Sequence, residues 1–183
     1  VRAARLDPFG ADYAAAYGDV FLEQSMPPQA GRAARQYRRA VELNPYEAFH
    51  WSDWGKACAY LGRDGDATRA FAMARKLDPN NHRILGEIAE FYLRHGETDR
   101  ALGYHARAVE QAPYLARSMY VTYWHLGVSP KRVAEALLPV AKAELAWMYF
   151  KDCLPWVDCA EAAAVWERAR AFVEHIRNTP SPR

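Results

Sequence analysis

The chain is poor in the residues that announce chemistry. Its three cysteines, Cys58, Cys153 and Cys159, are an odd number without dense spacing, which argues against a disulfide framework and against a zinc finger. No Gly-rich phosphate loop, H-E-x-x-H, G-x-S-x-G or C-x-x-C occurs in it. The six histidines (His50, His82, His95, His105, His125 and His175) do not recur at ligand spacing on one helix face, so no metal site is expected. Although 51% of the residues are hydrophobic, no run of 18 apolar residues exists, and no helical membrane span is expected. An excess of one charge is lacking too. The 24 basic and 22 acidic residues leave a net charge of +2, too balanced for a nucleic-acid or membrane footprint. Carboxylates such as Glu87 and Glu90 lie one turn apart, which is commonplace on solvated helices, and no nucleophile, base and orienting group come together. The chain therefore reads as a non-enzyme with no catalytic residue and no cofactor.

The N-terminus shows no secretory signal, since Val1-Arg2-Ala3-Ala4-Arg5 leads into Leu6-Asp7-Pro8 and not into an apolar stretch. Its first residue is not methionine, and the expectation is a segment of a longer protein.

What the chain does have is a ruler. Pro45, Pro79 and Pro113 stand 34 residues apart, each just after Asn44, Asp78 or Ala112. A fixed period of this length marks a stacked array of helical hairpins, with room for two helices of about a dozen residues and a proline that ends the second. The unit 48–81 carries Trp51, Trp54, Gly55 and Cys58 on its first helix and Ala67, Phe71 and Ala74 on its second. The unit 82–115 keeps Leu85, Ile88, Ala89, Tyr92, Ala101 and Ala108, with His105 at the large aromatic position, read as a packed substitute in preference to a ligand. Gly62 and Gly96, also 34 apart, mark the tight turns within hairpins, where a left-handed residue is needed.

Upstream the ruler slips by three. In 11–47, Tyr17-Gly18 falls on Trp54-Gly55 and Phe21 on Cys58, while Ala33, Tyr37 and Ala40 repeat the second-helix pattern; the extra residues fall in Ser25–Gln29. Downstream the pattern degrades. In 116–142, Ala116–Leu126 reads as a first helix, and Ser129-Pro130 starts a second that Pro139 cuts short. The unit 143–177 carries Ala162, Trp166 and Ala169, and 178–183 is a tail. Cys58 reads as a buried small hydrophobe, and whether Cys153 and Cys159 are bridged stays open. Arg32, Arg35, Arg38 and Arg39 flank Ala33, Tyr37 and Ala40 and so face solvent, as a solvated surface and not a phosphate site.

These positions follow the pattern W-x2-L-G-x2-Y, A-x3-F, P, in which Trp54 stands for the Leu and Cys58 for the Tyr. The chain thus resembles the tetratricopeptide-repeat (TPR) family. The resemblance implies an all-α fold: a right-handed superhelical TPR solenoid of about five helix-turn-helix repeats, the last two degenerate, forming one domain over 1–183. It also implies a concave groove lined by the first helix of each repeat, taking a protein or peptide partner and no nucleic acid. Carried onto this chain, the groove residues are Phe49, Lys56, Tyr60, Arg83, Glu90, Arg94, Arg117, Tyr120 and Trp124. Aromatic and arginine residues are the types enriched in binding hot spots, although Tyr60, Tyr120 and Trp124 read equally as packing between repeats. Some TPR proteins clamp a C-terminal carboxylate in the groove. Here Ala15, Asp19, Asp53, Gly86 and Glu87 occupy matching positions and only Arg83 is basic, so no such clamp is expected.

The leading expectation is a non-catalytic protein-interaction scaffold. A second resemblance, carried by Leu43-Asn44-Pro45-Tyr46, Trp51-Ser52-Asp53 and Phe91-Tyr92-Leu93, is to TPR segments of bacterial O-antigen ligase- or polymerase-type membrane proteins. It implies the soluble accessory domain of an envelope polysaccharide-handling protein, reaching a membrane only through its parent. Repeats that read RNA need like polar residues at matching positions, and Asp12, Phe49, Arg83 and Arg117 do not recur in that way. A cytoplasmic or a periplasmic location, the partner's identity and the oligomeric state stay open.

Overall fold

The prolines end the helices where the ruler places them. In the computed structural model, Asn44, Asp78 and Ala112 take nearly the same backbone, with φ of −135°, −137° and −137° and ψ of 86°, 88° and 78°. The ring of the following proline disfavours the helical region for the residue before it. Each of the three still donates its N–H to the carbonyl four residues back, on Ala40, Ala74 and Ala108.

The structure describes residues 8–137 together with Ala163, Trp166, Glu167, Arg170 and Glu174. Among these residues the fold is all-α, without a strand: α1 (Pro8–Leu22), α2 (Ala30–Leu43), α3 (Ala48–Tyr60), α4 (Asp64–Leu77), α5 (His82–Arg94), α6 (Thr98–Gln111), a 3-10 turn (Pro113–Leu115), α7 (Ala116–His125) and α8 (Pro130–Leu137). No described helix is long and apolar enough to cross a membrane. The chain forms two compact units, Val1–Phe91 and Tyr92–Arg183, and α5 runs through the boundary.

In the first unit, α1 packs on α2 and α3 on α4, and α3 lies against the first hairpin. Small residues permit this approach. Ala33, Ala40, Ala67 and Ala74 are fully buried on the second helices. A Cβ on Gly55 would stand 2.9 Å from the Phe71 ring, and one on Gly18 would meet the Tyr37 ring more tightly still. The glycine and the aromatic therefore hold the same relation in both hairpins, as the alignment of Tyr17-Gly18 on Trp54-Gly55 requires. Leu22, Ala33, Ala34, Tyr37 and Ala57 form one core cluster, with Trp54 packed against it. The longer connection between α1 and α2 falls at Ser25–Gln29, as expected, and Ser25 Oγ donates to the Val20 carbonyl at 3.0 Å.

The second unit keeps the alanines. Ala101 and Ala108 are fully buried, and His105 is 5% exposed. Its Nδ1 lies 2.8 Å from Tyr123 Oη and its ring meets the Tyr123 ring edge-on at 5.5 Å. This is a packed histidine with one polar partner. Tyr92 stacks on Tyr104 at 5.6 Å, and Arg132 pairs with Asp99.

The fourth hairpin does not keep the 34-residue ruler. Gly127 takes the positive φ of 71° that Gly62 (68°) and Gly96 (72°) take, only 31 residues after Gly96. A left-handed residue ends the first helix, so α7 is matched to α5 by a step of 31. Tyr120 then stands on Ala89 and Tyr123 on Tyr92, and both tyrosines are buried, at 4% and 0% exposure. The second helix restarts one place later: Val133 and Leu137, 0% and 1% exposed, stand on Ala101 and His105. Ser129 Oγ caps α8 by accepting from Arg132 N at 3.3 Å, and the expected cut at Pro139 lies outside the described residues. Gly127→Ala should cost roughly 1–2 kcal/mol in a urea titration, because alanine is strained at this φ.

Cys58 is free and fully buried. Cys153, Cys159, Pro139, Ala162, Ala169 and the tail lie outside the described residues. Trp166 is helical and 38% exposed.

Candidate functional site

Residues at the same position in successive hairpins lie on neighbouring first helices, so the repeat dictates which side chains meet. In the first unit Phe49 and Arg83 share one such position, and Asp53 and Glu87 another. Turns set this register: Glu47 caps α3 by accepting from Phe49 N at 3.3 Å, and Asn81 caps α5 by accepting from Arg83 N at 3.1 Å. The result is a ladder of polar contacts crossing α1, α3 and α5. The Arg83 guanidinium donates to Asp53 Oδ1 at 2.9 Å and to Glu87 Oε1 at 3.2 Å. It also lies 5.0 Å from the centre of the Phe49 ring, in cation–π range. Ser52 Oγ donates to the other Glu87 oxygen. At the far end, Lys56 Nζ pairs with Glu23 at 2.7 Å, and Tyr37 Oη donates to Asp19 at 2.7 Å.

Burial sets the electrostatics. The Asp53 side chain is 9% exposed. Desolvation, with Glu87 nearby, pushes its pKa up to about 7 against the opposing pull of Arg83. Burial pulls Lys56 down, but Glu23, Glu87 and Asp53 outweigh it and hold the ammonium above the ordinary lysine value. Arg83 is held up by Asp53 and Glu87 in the same way, against burial. The Glu23 carboxyl is held below its usual range, chiefly by its hydrogen bond from Lys56. Tyr37 is pushed up by burial and then by Asp19.

Of the residues singled out from sequence, Phe49, Lys56 and Arg83 come together in this ladder. Phe49 and Lys56 are half-buried, while Tyr60 is 48% exposed and Glu90 exposed on the same helix faces. In the second unit Arg94 and Arg117 are exposed and Trp124 is half-buried. Tyr120 is a correction: at 4% exposure it is part of the packing, because the 31-residue step moves it into the place of Ala89. The same step puts Tyr114 on the position of Arg83 and Val121 on that of Glu90, and these two are 68% and 45% exposed, while exposed Arg117 falls on the position of Gly86. Sequence reasoning missed Asp53 as the partner of Arg83. The signal was present in the 34-residue spacing of Asp53 and Glu87, both facing one arginine.

The arginines of α2, Arg32, Arg35, Arg38 and Arg39, are all exposed as expected, with Arg38 paired to Glu42 at 3.0 Å. Among the described residues no group of three or more His, Cys, Asp or Glu is placed to hold a metal ion.

Two solved structures are similar over nearly the whole chain. The crystal structure of MamA is 15% identical, with a TM-score of 0.53, covering 94% of this chain and 84% of that one. PilF of Pseudomonas aeruginosa is 16% identical, with a TM-score of 0.54, covering 95% of this chain and 80% of that one. Both are TPR-containing proteins. The fold is that of the tetratricopeptide repeat. No family model matches the chain, and no curated protein matches it. TPR-fold proteins are typically non-catalytic scaffolds for other proteins. The O-antigen ligase resemblance finds no support in these comparisons.

Proposed function

We propose that the chain is a non-catalytic protein-interaction scaffold that holds an extended or helical segment of a partner against its first-helix faces. The observation that carries this reading is the ladder across α1, α3 and α5, where Arg83 is clamped between two carboxylates over the face of Phe49. Side chains fixed before a partner arrives do not lose their freedom on binding, so a preformed surface binds at lower entropic cost. Phe49, Lys56, Tyr60, Arg83 and Glu90 are the contact residues proposed in the first unit. Arg94, Arg117 and Trp124, with Tyr114 and Val121, are those of the second.

Peptides selected from a random displayed library against the whole chain test the reading by calorimetry. Phe49→Ala with Tyr60→Ala should weaken a selected peptide by about thirtyfold or more, the usual consequence of truncating a desolvated aromatic anchor. Arg35→Ala with Arg39→Ala, on the exposed face of α2, should leave it unchanged. A library that yields no binder, or binders that need the α2 arginines and not the aromatics, would count against the proposal.

A further inference from the structure

The ladder across α1, α3 and α5 holds more negative charge than it neutralises. Asp53 and Glu87 share one repeat position, and their side chains are only 9% and 11% exposed. One guanidinium serves both: Arg83 donates to Asp53 Oδ1 and to Glu87 Oε1. Glu87 Oε2 takes the Ser52 hydroxyl, whereas the second oxygen of Asp53 takes no hydrogen bond from any described residue. A carboxylate this far from water ordinarily has an ionic partner of its own, because an unpaired buried charge is costly. Asp53 has half of one.

The other cation of the ladder does not make up the difference. Lys56 Nζ is drawn to 2.7 Å from Glu23, at the α1 side. Asp19, half-buried and hydrogen-bonded by Tyr37 Oη, adds a carboxylate that acts on Asp53. Four carboxylates, Asp19, Glu23, Asp53 and Glu87, thus share Lys56 and Arg83. Two groups among them register the surplus. Asp53, raised first by burial, is raised further by Glu87 and Asp19. Tyr37, raised by burial and by its bond to Asp19, is raised further by Asp53 and Glu23.

We propose that the segment this face holds is basic: a lysine or arginine side chain of the partner protein enters the ladder beside Asp53 and Asp19 and supplies the missing positive charge. The inference rests on the scaffold reading above and names the chemistry of its partner. Lys56 and Arg83 do not make the face an anion site. Arg83 already holds two carboxylates and Lys56 one, so an acidic segment would have to displace them. A basic side chain completes the set instead, and charges across an interface are arranged as complements.

The random displayed library is the probe, screened against the whole chain and followed by calorimetry on synthetic copies of a selected peptide. Selected sequences are expected to carry Lys or Arg at one fixed position, far above its frequency in the library. Replacing that residue by glutamine should weaken the peptide about thirtyfold or more. Asp53→Asn should weaken the parent peptide comparably and the glutamine peptide little, so that the two losses do not add. Asp19→Asn, which keeps an oxygen for the Tyr37 hydroxyl, should act in the same sense and serves if Asp53→Asn fails to fold by circular dichroism. A bound cation favours ionised Asp53, which titrates near 7 in the free chain. The affinity of the parent peptide should therefore fall by up to about tenfold per unit as pH drops below 7. The glutamine peptide should lack that slope. The groups facing Asp53 (Asp19 and Glu23 from α1, Tyr37 from α2, Lys56 beside it, Arg83 and Glu87 from α5) are the same with either peptide, so the difference reports the added cation. Acidic binders, or neutral binders that still need Phe49 and Tyr60, would overturn this inference and leave the scaffold reading standing. So would a basic peptide indifferent to both asparagine variants. A library that yields no binder defeats both readings.

Discussion

Gly55→Leu is expected to lower the free energy of unfolding by roughly 1–3 kcal/mol, whereas Gly103→Leu should raise it by up to about 1 kcal/mol. Both changes remove a glycine from a helix interior, so helix propensity alone favours both. Space separates them. Beyond a Cβ at Gly55, already only 2.9 Å from the Phe71 ring, leucine adds three more carbons. The ring cannot easily retreat, because Phe71 is 4% exposed and bounded by Phe91. At Gly103 nothing lies within 4 Å of the new atom. Urea titrations of the two variants decide the matter through their midpoints. Equal shifts would mean that the hairpin contact is not the close-packed one described.

The period carried most of the fold, for a physical reason. A repeated hairpin must bury the same positions each time, so Ala33, Ala67 and Ala101, or Ala40, Ala74 and Ala108, are legible as core because they recur. The fourth hairpin broke the rule, since a single ruler has no means of seeing a helix shortened by three residues. The clue was Gly127: a turn glycine fixes the end of a first helix more firmly than a proline fixes the start of the next one. Taking the turn as the origin turns Tyr120 inward and Val121 outward. The face of α1, α3 and α5 was legible as a set of positions and not as a network. Spacing places Asp53, Arg83 and Glu87 on facing surfaces, but only packing reveals that Asp53 is nearly closed off from water.

Acidification should act on the two units in opposite senses. His105 of the second unit is neutral in its buried site, and burial depresses its pKa from 6.5 to about 4. An unfolded chain takes up that proton near 6.5, so the stability conferred by the neutral ring is present above pH 6.5 and is lost as pH falls toward 4. Asp53 of the first unit runs the other way. Its folded pKa, raised by burial and by Glu87 from 3.8 to about 7, makes the ionised carboxylate a burden above pH 7. Its favourable contribution is complete below 3.8 and is lost as pH rises through 7. At about 1.4 kcal/mol per pH unit, the upper size is roughly 3–4 kcal/mol for His105 and roughly 4–5 kcal/mol for Asp53. Hydrogen exchange of core amides, corrected for intrinsic rates and compared at neutral pH and near pH 5, should show α6 and α7 losing protection while α3 gains it. Asp53→Asn should remove the gain. His105→Phe restores the aromatic of the repeat pattern but leaves the Tyr123 hydroxyl without its partner, at about 1–3 kcal/mol. The informative variant is therefore His105→Phe with Tyr123→Phe, which should abolish the loss of protection in the second unit and leave the Asp53 effect intact. If both units lose protection together in acid, and neither variant changes its own slope, these two groups do not govern the pH response.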